Sequence, residues 1–459
     1  MVNAHRALAK RIAWAIVIGM ELFSLCPALP AAASAADPAP RLNILTSFSP
    51  EFYNPFIQAY HRHNPGVQIQ ILNKKTTAAI TEIERGNRRQ FDIFWSSSPD
   101  AFAVLKQDGK LHRSSYRPSY PPLDPAHPRY GDPEGYFFNF AFSGVGYMWN
   151  GTLLKKQGIA APTSWRDLAH PRFYGQLAVS TPSRSGTTHM IVENLLQAMG
   201  WHEGWRFILQ VSGNLETITA RSFSVPDGVA NGRFSVGLVI DFLATAKRYS
   251  QKEIAFRYGD PLILTPAGIA LLNHGTNTGQ AVAFIDFLLS PEGQKILLQP
   301  EIGRQPVSGA LFTDKGTGRP PLLQFIRQGT IRAYDTELSR RRYQLVNALF
   351  DQLVTYRLLE RRKIWKQLLW LSKIHGKTRL AELGITDKVL GLVCDVPVTE
   401  KESLDAELNQ LFAATTTGER SRKKRALQHR WDDFATRRFQ EAEAALAKAA
   451  ERLADMADE

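Results

Sequence analysis

Between Arg41 and Trp95 the chain alternates twice between a two-residue and a helical hydrophobic period, and this alternation constrains the fold more than any other feature. Arg41-Leu-Asn-Ile-Leu-Thr46 reads as a strand, Glu51 to His63 as a helix, Val67 to Leu72 as a second strand, Thr77 to Gly86 as a helix and Phe91 to Trp95 as a third strand. Strand, helix, strand, helix, strand predicts a parallel α/β sheet, because parallel neighbours need a crossover long enough to hold a helix. The first and third strands run into small polar turns, Ser47-Phe-Ser-Pro50 and Ser96-Ser-Ser-Pro99. In open α/β sheets ligands bind outside the carboxyl ends of the strands, so Ser47, Ser49, Ser97 and Ser98 are candidate ligand-binding residues.

The same design recurs further on. Leu177-Ala-Val-Ser180 reads as a strand, passes through Ser183-Arg-Ser-Gly186, and enters a long amphipathic helix at Thr187-Thr188. The first N–H groups of such a helix lack internal partners and carry the positive end of its dipole, so Ser185, Gly186, Thr187 and Thr188 are candidates to hold an anion, with Arg184 adding charge. An ordinary N-cap would use the same residue types. Arg221 and Ser222 sit in another polar turn, and Ser235 to Ile240 is a strand ending at Asp241, a candidate acceptor for ligand hydroxyls. The irregular, Pro-, Tyr- and Arg-rich stretch from Ser114 to Gly135 separates the two halves. Pro261 to Leu272 reads as a chain crossing back, and Gln280 to Leu289 and Pro291 to Leu298 as two helices.

A chain of 459 residues exceeds one ordinary core, which predicts two or three domains. The net charge of +13 fits a nucleic-acid binder or an exported protein equally well. The N-terminus favours export: Arg6, Lys10 and Arg11 precede an apolar run from Ile12 to Met20, and Ala33-Ser-Ala35 has the small-residue pattern of a cleavage site, so residues 1–35 are expected to be a signal peptide. Leu22-Phe-Ser-Leu-Cys26 resembles a lipidation site faintly, but Leu25 stands where a small residue is expected. Without the leader only Cys394 remains, which excludes an internal disulfide and leaves stability to core burial. A soluble, monomeric, periplasmic protein is the expectation.

Four segments, taken in order, resemble type 2 periplasmic solute-binding proteins of ABC transporters: Asn139 to Asn150, the Ser183 to Thr188 loop, Val225-Pro-Asp-Gly-Val-Ala-Asn-Gly232 before Val236 to Asp241, and Ala281 to Gln294 with its Phe-Ile-Asp-Phe-Leu-Leu-Ser-Pro-Glu-Gly-Gln run. They look most like the ferric-iron and organophosphate cluster, in particular the binding proteins of phosphoglycerate uptake and sensing systems. The resemblance covers Arg41 to Leu323. It implies two α/β lobes that close on a ligand about a hinge, lobe one being residues 41–139 plus 261–323 and lobe two residues 141–260. It also implies a small anionic, phosphoglycerate-like solute and a membrane partner, either an inner-membrane ABC permease or a sensor histidine kinase that controls uptake. The iron carriers of the cluster place adjacent tyrosines after the strand that here ends at Asp241. This chain continues Asp241-Phe-Leu and holds no Tyr-Tyr pair, so ferric-iron binding is the alternative rather than the main expectation.

From residue 331 to 459 the chain reads as a basic, helical C-terminal extension outside the resemblance. Val346, Leu349, Leu353, Trp365 and Trp370 are its apolar anchors, Thr415 to Arg425 a polar basic break, and Phe439, Ala442, Leu446, Ala449, Leu453 and Met456 the seam of a terminal helix packed on its own protein. As a separate element it should be removable near Gln328 without loss of binding. The phosphate-cradling, dinucleotide, nucleophile-elbow and H-E-x-x-H motifs are all missing, so neither an enzyme nor a cofactor is expected. His61 and His63, two apart on a helix, point away from each other and predict no metal site. No basic-aromatic module suggests nucleic acid.

Overall fold

The computed structural model describes residues 39–116, 131–308, 311, 331–412 and 417–458. The expected leader, most of the segment between Ser114 and Gly135, and the end of the expected lobe one lie outside them. Among the described residues there are eleven strands: β1 (Arg41–Thr46), β2 (Gln68–Asn73), β3 (Ile93–Ser96), β4 (Phe138–Asn150), β5 (Leu177–Ser180), β6 (Leu215–Thr219), β7 (Val236–Ile240), β8 (Ile254–Tyr258), β9 (Leu262–Leu271), β10 (Gln305–Pro306) and β11 (Ile331–Ala333). Their main path runs β2-β1-β3-β9-β4-β7-β5-β6. The sheet is mixed, not parallel as the first strands suggest. β1 is parallel to β2 and β3, and β5 to β6 and β7, but β9 and β4 return between these groups antiparallel to their neighbours.

The 13-residue β4 belongs to two half-sheets. Through Gly144, paired with Leu264, it lies against β9; from Val145, paired with Ile240, it lies against β7 and β8. The expected crossing near Asn139 to Ala141 is a register shift in this strand, and the change of partner comes at Gly144 and Val145. Gly146 is required there, since a Cβ would sit 2.1 Å from the Arg257 carbonyl oxygen.

Each half-sheet has its own helices. Helix α1 (Pro50–His63) has its start set by Pro50 and turns Phe52, Phe56, Ala59 and Tyr60 inward, onto Trp95, Phe140 and Phe284. Helices α2 (Thr76–Glu84) and α3 (Pro99–Gln107) cover the other face; the second follows the Ser96 to Pro99 turn and is not evident from its composition. In the second half, α4 (Gly186–Met199) follows β5, and α5 (Asp241–Ser250) follows β7.

The extension is not a separate element. Its helices α6 (Thr336–Phe350), α7 (Leu358–His375) and α8 (Gly418–Asp458), with Leu353 from the turn between the first two, bury Leu345, Val346, Leu349, Ile364, Trp365, Phe439, Ala442, Leu446 and Leu453 in one continuous core with Tyr147, Leu177, Trp205 and Leu238 of the second half. Trp365 fills the space above Gly213, where a Cβ would meet its ring at 2.0 Å. The basic run Arg420 to Arg425, read as a break, lies within α8, because Leu427 and Trp431 continue its buried face and the charges take the exposed one. Trp370 is not an anchor: it is 57% exposed.

Candidate functional site

Three helix N-termini meet between the two halves. Gly186, the first residue of α4, lies so close to Ser98 and Thr76, at the starts of α3 and α2, that a Cβ on it would be 2.6 Å from Ser98 Cβ and 2.8 Å from Thr76 Cγ2. Only glycine allows this approach. The hydroxyls of Ser97 and Thr187 are hydrogen-bonded across the seam at 2.8 Å, and Thr77 donates to the Ser183 carbonyl at 2.8 Å. Ser185 caps α4, accepting from the Thr188 N–H at 3.2 Å, so the capping role holds for that residue. The Ser98 hydroxyl is buried beside the Tyr343 phenol. Ser47 faces Ser96 at 2.9 Å between the ends of β1 and β3.

Cations gather at the same seam. Arg221 reaches across it to donate to Asn73 Oδ1 at 2.9 Å and lies over the Phe223 ring. Burial lowers the pKa of Arg221. Burial lowers Lys75 as well, and the charges of Arg184 and Arg221 push it the same way, which places three cations within electrostatic reach of one another. The described residues offer none of the three a carboxylate at ion-pair distance. Together with three positive helix ends this is a field that favours a negative charge. Lys75 is absent from the residues singled out by sequence, although Asn73-Lys-Lys-Thr-Thr77 after β2 repeats the strand, polar turn and helix design found after β1, β3 and β5.

Other candidates stand apart from this cluster. The Ser49 hydroxyl holds the Glu51 carboxylate, lowering its pKa, and so is already engaged. Ser222 contributes its carbonyl to the Val225 N–H at 3.2 Å. Asp241 is buried at the crossing of β4: it accepts from the Gly144 N–H and the Tyr258 hydroxyl, each at 2.9 Å, and from the Phe242 N–H at 2.7 Å. Burial raises its pKa to about 6. Its lone pairs hold the crossing together, where sequence suggested that they receive ligand hydroxyls. Beside it lies Arg304, 1% exposed, with its guanidinium 3.6 Å from the Phe242 ring centroid and 4.8 Å from that of Phe48. Nη1 donates to Ser143 Oγ at 3.3 Å, while Nε and Nη2 have no hydrogen-bond partner among the described residues. Burial lowers its pKa to about 9. No local pattern around Gly303-Arg-Gln-Pro306 signals this role at the crossing.

Behind the seam, α6 joins the two halves a second time. Arg342 donates to Glu193 of α4 at 2.6 Å, both side chains being almost wholly buried. The Tyr334 hydroxyl lies 2.9 Å from both carboxylate oxygens of Asp100 on α3 and 2.8 Å from the Ser339 hydroxyl. His189 of α4 lies 3.1 Å from that hydroxyl and 2.8 Å from Asn347 Oδ1. Burial raises Asp100 to about 7 and lowers His189 to about 3, so both favour the neutral form.

Two α/β half-sheets sharing one crossing strand, with charged loops facing each other between them, define a two-lobed solute-binding protein of the type 2 periplasmic kind. Comparison with known proteins agrees, since the family model for bacterial extracellular solute-binding proteins matches residues 50–299, and the chain belongs to that family. The phosphoglycerate transport regulatory protein PgtC of Salmonella typhimurium is 32% identical over 365 residues, covering 79% of this chain and 87% of that one. A match of that length exceeds what the residues up to Leu323 supply, so the likeness continues into the extension. Among solved structures, the periplasmic binding protein AfuA of Actinobacillus pleuropneumoniae, with fructose-6-phosphate bound, superposes with a TM-score of 0.61 at 19% identity, covering 68% of this chain and 98% of that one. The periplasmic binding protein P5PA gives 0.59 at 19% identity, covering 67% and 98%.

Proposed function

We propose that the chain is the periplasmic binding component of an ABC-type uptake or sensing system and that its solute is a small phosphorylated, phosphoglycerate-like anion held between the lobes. The observation that carries this is the convergence of Lys75, Arg184 and Arg221 on three helix N-termini, with no carboxylate at ion-pair distance among the described residues. An anion supplies the missing charge, and charge-assisted hydrogen bonds from a partly desolvated arginine are the strong ones. The name of the PgtC relative supports the solute class and leaves two outputs, delivery to a permease or presentation to a sensor kinase. The solute would exchange for the Ser97–Thr187 bond and draw both lobes onto itself, its differential contacts setting the open and closed populations.

Ferric iron is less well served. An iron-binding phenol must ionise, whereas burial and the adjacent Asp241 push the Tyr258 phenol well above its ordinary range. Among the described residues no cluster of three or more His, Cys, Asp and Glu side chains fits a metal. Calorimetric titration of Arg221→Ala tests the proposal. We expect 3-phosphoglycerate affinity to fall by about 1.5–3 kcal/mol, roughly ten- to a hundredfold. Unchanged affinity removes Arg221 from the site.

A further inference from the structure

Five large apolar side chains are more than half exposed among the described residues, and four of them, Tyr356, Leu359, Trp370 and Ile374, lie on α7 or at its approach. At about 100° per residue, Leu359, Lys363, Lys366, Trp370, Lys373 and Ile374 fall within one arc of roughly 100° on α7. All six are exposed, with Leu359 at 79%, Trp370 at 57% and Ile374 at 53%. The opposite face, with Ile364, Trp365 and Leu371, is buried in the core. The helix is therefore apolar on both sides, and on the outer side three lysines share the arc with three large apolar residues, without an acid among the six. Lys363 reaches Glu443 at 2.9 Å; Lys366 and Lys373 have no carboxylate at ion-pair distance among the described residues. Lys377 and Arg379, also exposed, extend the charge past the end of the helix.

We propose that this outer stripe of α7 docks the protein onto an anionic phospholipid surface. The amino-acid choice favours lipid over a protein partner. Protein interfaces are enriched in arginine and depleted in lysine, whereas a helix lying on a membrane sets tryptophan and leucine at the headgroup boundary and lets lysine stems reach sideways to phosphates. Trp370 also borders a groove between α7 and α8 lined by Leu371, Leu446, Ala447 and Ala450 together with Gln367 and Glu443, the carboxylate of Glu443 being paired with Lys363. Docking of this kind would hold a solute carrier near its membrane partner without a spanning helix, and it does not depend on which solute the cleft takes.

Cosedimentation of the full chain with vesicles tests it. The wild type is expected to pellet with vesicles of phosphatidylglycerol and phosphatidylcholine, to stay in the supernatant with phosphatidylcholine alone, and to be released when sodium chloride is raised to roughly 0.5 M. Lys366→Glu with Lys373→Glu should weaken partitioning about tenfold or more, and Trp370→Ala should weaken it less. All three residues are exposed, so the variants keep the core, and differences between the proteins report on α7 alone. A wild type that ignores anionic vesicles, including one that instead binds an acidic protein, overturns the proposal. So does equal pelleting of the wild type and the double lysine variant.

Discussion

Across the cleft the lobes touch through Ser97 and Thr187, Thr77 and the Ser183 carbonyl, and Arg221 and Asn73, contacts between neutral groups or between a cation and an amide. Behind it, under α6, they are joined through Arg342 with Glu193 and through Tyr334, Ser339, Asp100 and His189, all with little or no exposure. Neutral hydrogen bonds contribute about 0.5–1.5 kcal/mol each and exchange readily for bonds to water or solute. A buried ion pair that loses one partner costs about 3–5 kcal/mol, because the other charge is left uncompensated. The contacts across the cleft are thus the readily exchanged ones and those under α6 the costly ones to break. The extension, through α6, supplies the second.

The largest test of that contrast removes the clasp entirely. A chain stopping near Gln328 lacks the apolar residues of α6, α7 and α8 that complete the core of the second lobe, and we expect it to lose its cooperative thermal unfolding transition by circular dichroism. A folded, solute-binding truncated chain would show that the clasp is dispensable, as the sequence alone suggested. A narrower break is Glu193→Ala, which strands the Arg342 guanidinium. Urea denaturation should show a loss of about 3–5 kcal/mol, and Arg342→Met combined with Glu193→Leu should recover most of it. A loss below 1 kcal/mol would mean that water reaches the pair.

A smaller effect lies in pH. Asp100 has its folded pKa raised to about 7, so its contribution is present below its unfolded value near 3.8 and is lost as pH rises toward 7. His189 is lowered to about 3, so its contribution is present above its unfolded value near 6.5 and is lost as pH falls toward 3. The two oppose each other between pH 4 and 6.5. Asp100→Asn removes the opposing member of this pair, so the stability of that variant should climb with pH across this window more steeply than that of the wild type. Parallel curves would mean that Asp100 titrates normally.

Much of this was legible in sequence, and the reasons differ by residue. β1 and β5 lie where their short apolar runs before polar turns predict, and α4 begins one residue before the predicted Thr187, because apolar run, small-residue turn and cap are local signals. The mixed sheet was not legible: β9 and β4 look like any apolar strands, and their direction is set by where the chain has already been. The extension was misread because a shift to basic composition resembles a boundary, while Val346, Leu349 and Leu353 indicate only that some core receives them. Lys75 was within reach, since the rule applied to the turns after β1 and β3 covers the turn after β2. Arg304 and the Asp100–His189 pair were not, because their partners lie on other elements and no spacing in the chain brings them together.

The central claim is that the cleft, unlike the clasp, is waiting for a negative charge. Paired calorimetric titrations of the wild type with 3-phosphoglycerate and with glycerate test it most directly, because the two differ only in the phosphoryl group. The account predicts that 3-phosphoglycerate binds at least about tenfold more tightly, as one strong charge-assisted contact implies. Equal affinity for the two, or tight Fe(III) binding without phosphate-ester binding, would contradict it.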